Sequence, residues 1–341
     1  MRTIRTRPLR ALLGAAPLAM LLLLSACTED QSTIDPASDF TEQVNEIYVI
    51  VAILAGIVFV GVLGATLGFA IWFRERPGRE ARQFHGNARL EVIWTLVPVA
   101  IVAAISIPTF NAIRDTTADE LPDGALQVIA TGHQWWFEFE YPELGITTAN
   151  ELHLPVDRAV NVTLLSDDVI HSFWIPKLVG KTDMVPGHEN SLWFTPNQAS
   201  AEPFLGQCAE FCGTSHANMR FRAFVDTTDD FDSWVATQLS DGRAADEDLS
   251  KRGEEIFLAN ACIGCHTVKG TIAAGTIGPD LTHLGGRSTI ASGIMANTPE
   301  NLARWIRNPD DPKPGALMPS FGDVLSEDEL TAVVAYLLSL E

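Results

Sequence analysis

The sequence predicts a multidomain membrane protein with two membrane-spanning helices, an all-β domain and a C-terminal all-α domain. Two uncharged apolar runs, Ile47–Phe73 and Val92–Ile113, predict the helices, because about 20 apolar residues suffice to cross hydrocarbon. Short β-rich runs separated by turn residues follow in 125–226, and helix-like patterns follow in 250–341. A chain of 341 residues is long enough for two soluble units and a membrane part.

Residues 1–26 have the order of an export signal of the lipoprotein type. Several arginines precede an apolar run from Ala11 to Leu24, and small residues follow it. The box Leu24-Ser25-Ala26-Cys27 resembles the site at which bacterial lipoproteins are cleaved and lipidated, so lipidation of Cys27 is predicted. A cysteine present by chance is the alternative.

The loop between the two apolar runs indicates the orientation of the chain. Its arginines outnumber its glutamates: Arg74, Arg76, Arg79, Arg82 and Arg89 against Glu75, Glu80 and Glu91. The positive-inside rule places such a loop in the cytoplasm. Segment 27–114 is therefore predicted to hold an N-terminal stretch and two transmembrane helices, about 47–73 and 92–113, in a bacterial cytoplasmic (inner) membrane. The chain after Arg114 then lies on the extracytoplasmic side; buried helices of a soluble core are the alternative.

A β-sandwich or barrel is predicted for 115–238. Its strand-like runs are separated by Pro, Gly, Asn and Asp, as in all-β units, and lie at 126–131, 134–141, 160–166, 191–195 and 221–225. The polar, small-residue stretch 239–249 has the composition of a linker. Helix-like patterns at 251–260, 299–307 and 326–340 predict an α-helical domain at 250–341.

The formal net charge of −20 bears on the partners of the protein. Nucleic acid is excluded as a natural partner of so acidic a chain. A basic protein surface is a better match, because complementary charge speeds encounter. Simple solubility of an acidic surface explains the sign equally well.

Thiols, imidazoles and a thioether cluster in the β-rich part. Cys208, Cys212, His216 and Met219 lie close together in sequence, and His171 offers a second imidazole from an earlier strand. This mixture of ligands suits copper. A disulfide between the two cysteines, which an exported protein can form, and a tetrahedral zinc site are the alternatives. Neither of them explains Met219.

Over nearly all of 41–235 the chain resembles the CuA subunit, subunit II, of the haem-copper cytochrome c oxidases. The resemblance rests on the sequence around these side chains, GQCAEFCGTSHANM. It implies a cupredoxin-like Greek-key sandwich with a binuclear copper centre. The implied ligands are the bridging thiolates of Cys208 and Cys212, the imidazoles of His171 and His216, the thioether of Met219 and the backbone carbonyl of Glu210.

The same resemblance implies three further roles. Trp135, in GHQWWFEFEY, matches an exposed tryptophan that accepts electrons, although strand packing is the alternative and Phe137 stands where the family usually has Trp. The carboxylate of Glu210 matches a ligand of magnesium shared with subunit I. Glu91 matches a carboxylate at the cytoplasmic mouth of a proton pathway, a place that the helix dipole also favours. The other histidines of the membrane segment and the β-rich segment are predicted to be surface or packing residues: His85, His133, His153 and His188.

The segment Cys262-Ile263-Gly264-Cys265-His266 is the CxxCH signature of covalent haem c attachment. Cys262 and Cys265 would form thioethers to the porphyrin, and His266 would be an axial iron ligand. Residues 250–341 resemble a small class I cytochrome c, in which 278–281 would support the histidine and Met318 would be the second axial ligand. Met295 is the rival. His/Met ligation suits electron transfer and leaves no open position.

A CuA subunit with a fused cytochrome c is the arrangement of caa-type cytochrome c oxidases. The predicted function is to pass electrons from the fused haem through the dicopper centre to subunit I. Reduction of oxygen to water, coupled to proton pumping, is expected in that other subunit, so enzyme status belongs to the complex. The predicted partners are subunit I and other oxidase subunits, an external donor such as a cytochrome c or cytochrome bc complex, and the membrane.

Three other classes of protein match the sequence less well. A metallochaperone needs neither a transmembrane hairpin nor a CxxCH motif. An electron acceptor like nitrous-oxide reductase would need a large fused catalytic domain. Quinol-oxidising relatives of the family lack the copper ligands found here at Cys208, Cys212 and His216.

Overall fold

The computed structural model describes residues 31–78, 80, 85–116, 121–242 and 247–341. The predicted signal segment and Cys27 lie outside the described residues. Two long helices come first, α1 (Asp39–Trp72) and α2 (Ala88–Thr116), and both are long and apolar enough to cross a membrane. Their apolar side chains are exposed to the surroundings, as lipid-facing side chains are. Helix α2 extends beyond its apolar run at both ends, whereas α1 begins before its run and ends one residue short of Phe73.

The start of α1 is attached to the following domain. The hydroxyl of Ser38 caps the helix by accepting a hydrogen bond from the amide of Thr41, 3.1 Å away. The amide of Ala37 donates to the carbonyl of Lys177 at 2.8 Å, and the Lys177 ammonium lies 2.7 Å from the Asp35 carboxylate. The membrane helix therefore begins directly at the surface of the β-sheet domain.

Residues 121–238, the β domain, form two five-stranded sheets around one apolar core. The strands are β1 (Leu126–His133), β2 (Trp136–Tyr141), β3 (Ile146–Ala149), β4 (Glu151–Pro155), β5 (Val160–Ser166), β6 (His171–Ile175), β7 (Val179–Met184), β8 (Asn190–Phe194), β9 (Phe204–Cys208) and β10 (Arg220–Asp226). Their order is β3-β2-β1-β5-β8 in one sheet and β4-β10-β9-β6-β7 in the other. Helix α3 (Thr228–Gln238) ends the domain. The predicted cupredoxin-like sandwich is confirmed.

Alternation of buried and half-exposed residues places one face of each sheet in the core. Phe137 and Phe139 of β2 are fully buried and meet the ring of Phe221, at centroid distances of 4.9 and 5.3 Å. Such rings carry much of the apolar burial in a small core. Phe137, which departs from the usual family residue, is thus a core residue here.

Residues 248–341, the helical domain, have a second core. Helices α4 (Asp248–Ala259), α5 (Pro299–Arg307) and α6 (Glu327–Leu338) surround it, with a two-stranded ribbon of β11 (Thr289–Ile290) and β12 (Met295–Ala296). Helices α4 and α6 pack closely at Gly253, where a Cβ would overlap the carbonyl oxygen of Ala332. Ser326 and Glu329 form a capping box at the start of α6. The predicted all-α domain is therefore confirmed, with a short ribbon added.

Candidate functional site

Strand ends bring the predicted metal ligands together at one end of the β domain. His171 is the first residue of β6, Cys208 is the last of β9, and Met219 directly precedes β10. The amide of Cys208 donates to the carbonyl of Met219 at 2.9 Å, so the sheet itself holds these two residues side by side. Gly132 allows β1 to pass the imidazole of His171, since a Cβ there would lie 2.8 Å from its Cδ2 atom.

Cys208 has its own set of neighbouring ligand atoms. Its sulfur lies 3.9 Å from Nδ1 of His171 and 3.1 Å from the carbonyl oxygen of Glu210. His171 and Cys208 are both buried. Contact with Cys212 lowers the pKa of the Cys208 thiol, so the site can offer a thiolate, the form that binds metals.

Cys212 has its own set of neighbouring ligand atoms, similar to that of Cys208. Its sulfur lies 3.7 Å from Nδ1 of His216 and 3.8 Å from the sulfur of Met219. The two cysteine sulfurs are 3.7 Å apart and not bonded to each other. Each thiol therefore has one imidazole and one weaker ligand atom beside it. That arrangement fits two metals sharing two thiolates better than one tetrahedral ion.

Asp168 orients the imidazole of His171, and the sequence analysis missed it. Its Oδ1 atom lies 2.7 Å from Nε2 of His171, which leaves Nδ1 facing the sulfur of Cys208. Its Oδ2 atom accepts from the amide of Gln134 at 2.6 Å. Carboxylates commonly orient ligating histidines in this way. An acidic residue three positions before a proposed histidine ligand was the available signal.

The CxxCH motif begins on a short 3-10 helix, Ala261–Gly264, that follows α4, and Cys265 and His266 come directly after that helix. The Nδ1–H of His266 donates to the carbonyl of Pro279 at 2.7 Å, so its Nε2 atom keeps a free lone pair. Burial lowers the pKa of His266, which favours the neutral imidazole that binds iron. Gly278 is needed beside it, because a Cβ there would lie 2.7 Å from the ring.

A large cavity adjoins this motif. Its volume is about 1470 Å³, including space open to solvent, and Cys262, Cys265 and His266 line it together with apolar side chains of the helical domain. Met318 also lines the cavity, whereas Met295 is not among the described residues that do so. The residues fit a porphyrin in chemistry: two thiols, a neutral imidazole, a thioether and apolar walls.

Trp135 lies between the two sites. Its indole Nε1–H donates to the carbonyl of Cys212 at 3.0 Å, and its side chain lines the cavity beside the CxxCH motif. It is 8% exposed, unlike the exposed tryptophan that the resemblance implied. The helical domain covers it, with Gly315 so near that a Cβ would lie 3.2 Å from the ring.

The remaining predicted side chains lie outside the two clusters of ligand atoms, although the backbone carbonyl of Glu210 belongs to the first. Glu91 is exposed in the first turn of α2, and the carboxylate of Glu210 is exposed and accepts from the amide of Phe211 at 3.2 Å. His153 packs in the β domain, with Nδ1 2.8 Å from Asp226 and its ring stacked on Trp234 at 4.5 Å. Of the other three histidines, His133 stacks on Trp136, a residue that lines the cavity, and His85 and His188 are exposed.

Family models match three parts of the chain. Residues 28–112 match the family described as "Cytochrome C oxidase subunit II, transmembrane domain", and residues 144–225 match the corresponding "periplasmic domain". Residues 250–341 match the family "Cytochrome c". These matches imply a copper centre in the β domain and a haem in the helical domain.

Similar proteins cover the chain almost end to end. The "Cytochrome c oxidase subunit 2" of Alkalihalophilus pseudofirmus is 35% identical over 95% of this chain and 96% of its own length. The protein of the same name from Bacillus subtilis is 33% identical over 94% of this chain and 95% of its own length. A crystal structure of the periplasmic domain of subunit II from Bradyrhizobium japonicum is 32% identical, with a TM-score of 0.33, and covers 35% of this chain and 96% of that one. The chain therefore belongs to the cytochrome c oxidase subunit II family and carries a cytochrome c domain at its C-terminal end.

Proposed function

We propose that electrons pass singly from a haem in the helical domain, by way of Trp135, to a binuclear copper centre in the β domain. From there they continue to subunit I, the oxygen-reducing partner in this family of oxidases. The chain itself is an electron-transfer subunit of an oxidoreductase complex. Bound copper and haem supply the redox chemistry, and the protein supplies position and a dry environment.

One observation carries this proposal: a single indole contacts both sites. Trp135 donates to the carbonyl of Cys212, a proposed copper ligand, and lines the cavity of Cys262, Cys265 and His266. The hydrogen bond and the ring together form a short route through protein atoms. The geometry thus supports the role of electron acceptor that the resemblance implied for Trp135. The electron donor in this proposal is the fused helical domain.

The proposed copper ligands are the six groups paired above. They are His171, Cys208, the carbonyl of Glu210, Cys212, His216 and Met219. Two shared thiolates would spread one electron over both metals, so the geometry would change little between oxidation states. The proposed haem ligands are Cys262 and Cys265 through thioethers and His266 and Met318 on the iron.

We also propose the finer membrane arrangement. The chain divides into a signal at 1–26, the membrane segment 27–114, the CuA domain 115–238, a linker 239–249 and the cytochrome domain 250–341. Arginines between α1 and α2 support a cytoplasmic loop in the bacterial inner membrane, with both soluble domains outside. Cys27 would carry lipid, Glu210 would bind magnesium with subunit I, and Glu91 would lie at a proton-pathway mouth. The external donor would be a cytochrome c or a cytochrome bc complex.

Metal analysis with optical and EPR spectra of the purified protein tests this function. We expect two coppers per covalent haem, a mixed-valence copper signal and a low-spin haem spectrum. Zinc in place of copper, or one isolated copper, would overturn the dicopper assignment. A haem released by acidified solvent would overturn the covalent attachment.

A further inference from the structure

The helical domain and the β domain meet in an interface with many hydrogen bonds. The contacts lie around Trp135 and along the ends of β4 and β10. Ser215 Oγ donates to the carbonyl of Pro314 at 2.6 Å, and the Arg222 guanidinium donates to the carbonyl of Gly293 at 2.9 Å. Direct hydrogen bonds in this number indicate a formed interface, not two domains that merely lie near each other.

Lys313 of the helical domain is buried in this interface, with 4% of its surface exposed. Its ammonium donates to the carbonyl of Trp135, 2.5 Å away in the β domain, and to Oγ of Ser292 at 2.6 Å. Ser292 Oγ itself donates to the same Trp135 carbonyl at 2.8 Å. The amine thus lies at the backbone of the residue that connects the two redox sites.

Glu151 of the β domain is a second buried charged residue at the interface, also 4% exposed. Its Oε1 atom accepts from the amides of Ser288 and Thr289, at 2.9 and 3.1 Å, and from the Ser288 hydroxyl at 2.6 Å. A carboxylate that is taken out of water needs such partners to offset the loss of hydration. All three partners belong to the helical domain.

The three partners of Glu151 and the Trp135 carbonyl that accepts from Lys313 are reached only when the domains are together, whereas Ser292 belongs to the same domain as Lys313. Burial lowers the pKa of Lys313 to about 7, opposed by the charge of Cys212. Charged or neutral, the amine donates to the same two oxygen atoms. If the helical domain moved away, Glu151 would lose all three partners, Lys313 would lose the Trp135 carbonyl and keep only Ser292, and both charged groups would return to water. The interface is therefore specified by reciprocal contacts, one anchor from each domain.

We propose that Lys313 and Glu151 are positioning residues that hold the helical domain in one fixed orientation on the β domain, with Trp135 enclosed between the two domains. The consequence for electron transfer rests on the proposed function, whereas the docking geometry does not. Haem-to-copper transfer is then a step within one rigid unit, which moves one electron and no proton. A soluble donor cannot reach Trp135 and has to reduce the haem domain at its own surface.

Hydrogen exchange of the full-length protein with its cofactors tests the fixed orientation. The variants are Lys313→Met, Lys313→Arg and Glu151→Gln, with Lys251→Met, an exposed lysine of the same domain, as the control. We expect exchange at the amides of Ser288 and Thr289 to rise at least about tenfold in Lys313→Met and Glu151→Gln. Lys251→Met should leave exchange unchanged, and Lys313→Arg should restore part of the protection.

Photoinduced reduction of the haem then measures the haem-to-copper rate in the same samples. We expect at least a tenfold slower rate in Lys313→Met, with the optical and EPR spectra and both potentials unchanged. Unchanged exchange and rate in Lys313→Met and Glu151→Gln would overturn the proposal. If Lys313→Met does not fold, Glu151→Gln decides it by the same two measurements. Absence of copper or haem from the unaltered protein would refute the proposed function instead, while exchange would still report on docking.

Discussion

Replacement of Asp168 by Asn should weaken copper binding without removing any copper ligand. The carboxylate lies 2.7 Å from Nε2 of His171, and this contact directs Nδ1 toward the sulfur of Cys208. Asparagine has nearly the same shape and keeps an acceptor oxygen, but it has no charge. The variant therefore tests how much the negative charge and the second acceptor oxygen together contribute to the orientation and basicity of the imidazole.

The structure sets the size of the effect. Loss of a carboxylate that orients a ligating histidine typically costs 10- to 100-fold in metal affinity. Asp168→Asn keeps one hydrogen bond, so the lower end applies, about tenfold or about 1.4 kcal/mol. The amide of Gln134 donates to the other carboxylate oxygen at 2.6 Å, and asparagine has only one acceptor oxygen, so the variant keeps the contact with His171 or with Gln134 but not both.

Asp167 provides a matched control in the neighbouring position. Its carboxylate is 75% exposed and lies 3.6 Å from Nδ1 of His133, away from the copper ligands. Copper affinity would be measured by competition with a chelator, followed through the EPR signal of the centre. We expect Asp168→Asn to lose about tenfold in affinity and Asp167→Asn to match the unaltered protein. Equal affinity in all three proteins would refute the role assigned to Asp168.

Three further predictions concern the helical domain and its contact with the β domain. Met318→Ala should abolish the low-spin His/Met haem spectrum while Met295→Ala keeps it, because Met318 lines the haem cavity; the reverse result would move the ligand to Met295. Gly253→Ala should destabilise the domain by about 1–3 kcal/mol in chemical denaturation, because its Cβ would overlap α6. Gly286→Ala should change little, because its Cβ would make only an ordinary contact, 3.7 Å from the carbonyl oxygen of His283. Burial, the charge of Glu140 and then other carboxylates raise the pKa of Glu138 from 4.5 to about 7. Folding therefore favours the protonated form, and the contribution of Glu138 to stability falls as the pH rises through that range. Glu138→Gln should therefore raise the melting temperature more at pH 8 than at pH 5, and an equal gain at both would contradict this.

Local sequence patterns were sufficient for the parts of this protein that depend on neighbouring residues. The two apolar runs predicted α1 and α2, because membrane crossing requires an uninterrupted apolar stretch. The CxxCH motif and the cluster from Cys208 to Met219 predicted two redox sites, because most of the ligands of each site lie in one short stretch of sequence; His171 and Met318 come from elsewhere in the chain. Both family assignments that followed are confirmed by relatives that span almost the whole chain.

Strand boundaries were predicted less completely. Strands β3, β4, β6, β7 and β9 were not among the predicted runs, although β6 and β9 carry His171 and Cys208. A short strand is stabilised by its partners in the sheet and by burial, so its own sequence signal is weak. Helix α1 begins at Asp39, eight residues before the apolar run, because Ser38 caps it at the surface of the β domain.

The sequence by itself determined which cofactors this chain is built to hold and on which side of the membrane they were expected. Only the tertiary structure decided how the two halves meet: Trp135 buried under Gly315, Asp168 behind His171, and Lys313 and Glu151 as reciprocal anchors. The physical reason is separation along the chain. Lys313 and Trp135 are 178 residues apart, and no local pattern reports a hydrogen bond that forms only after two domains have folded and packed together.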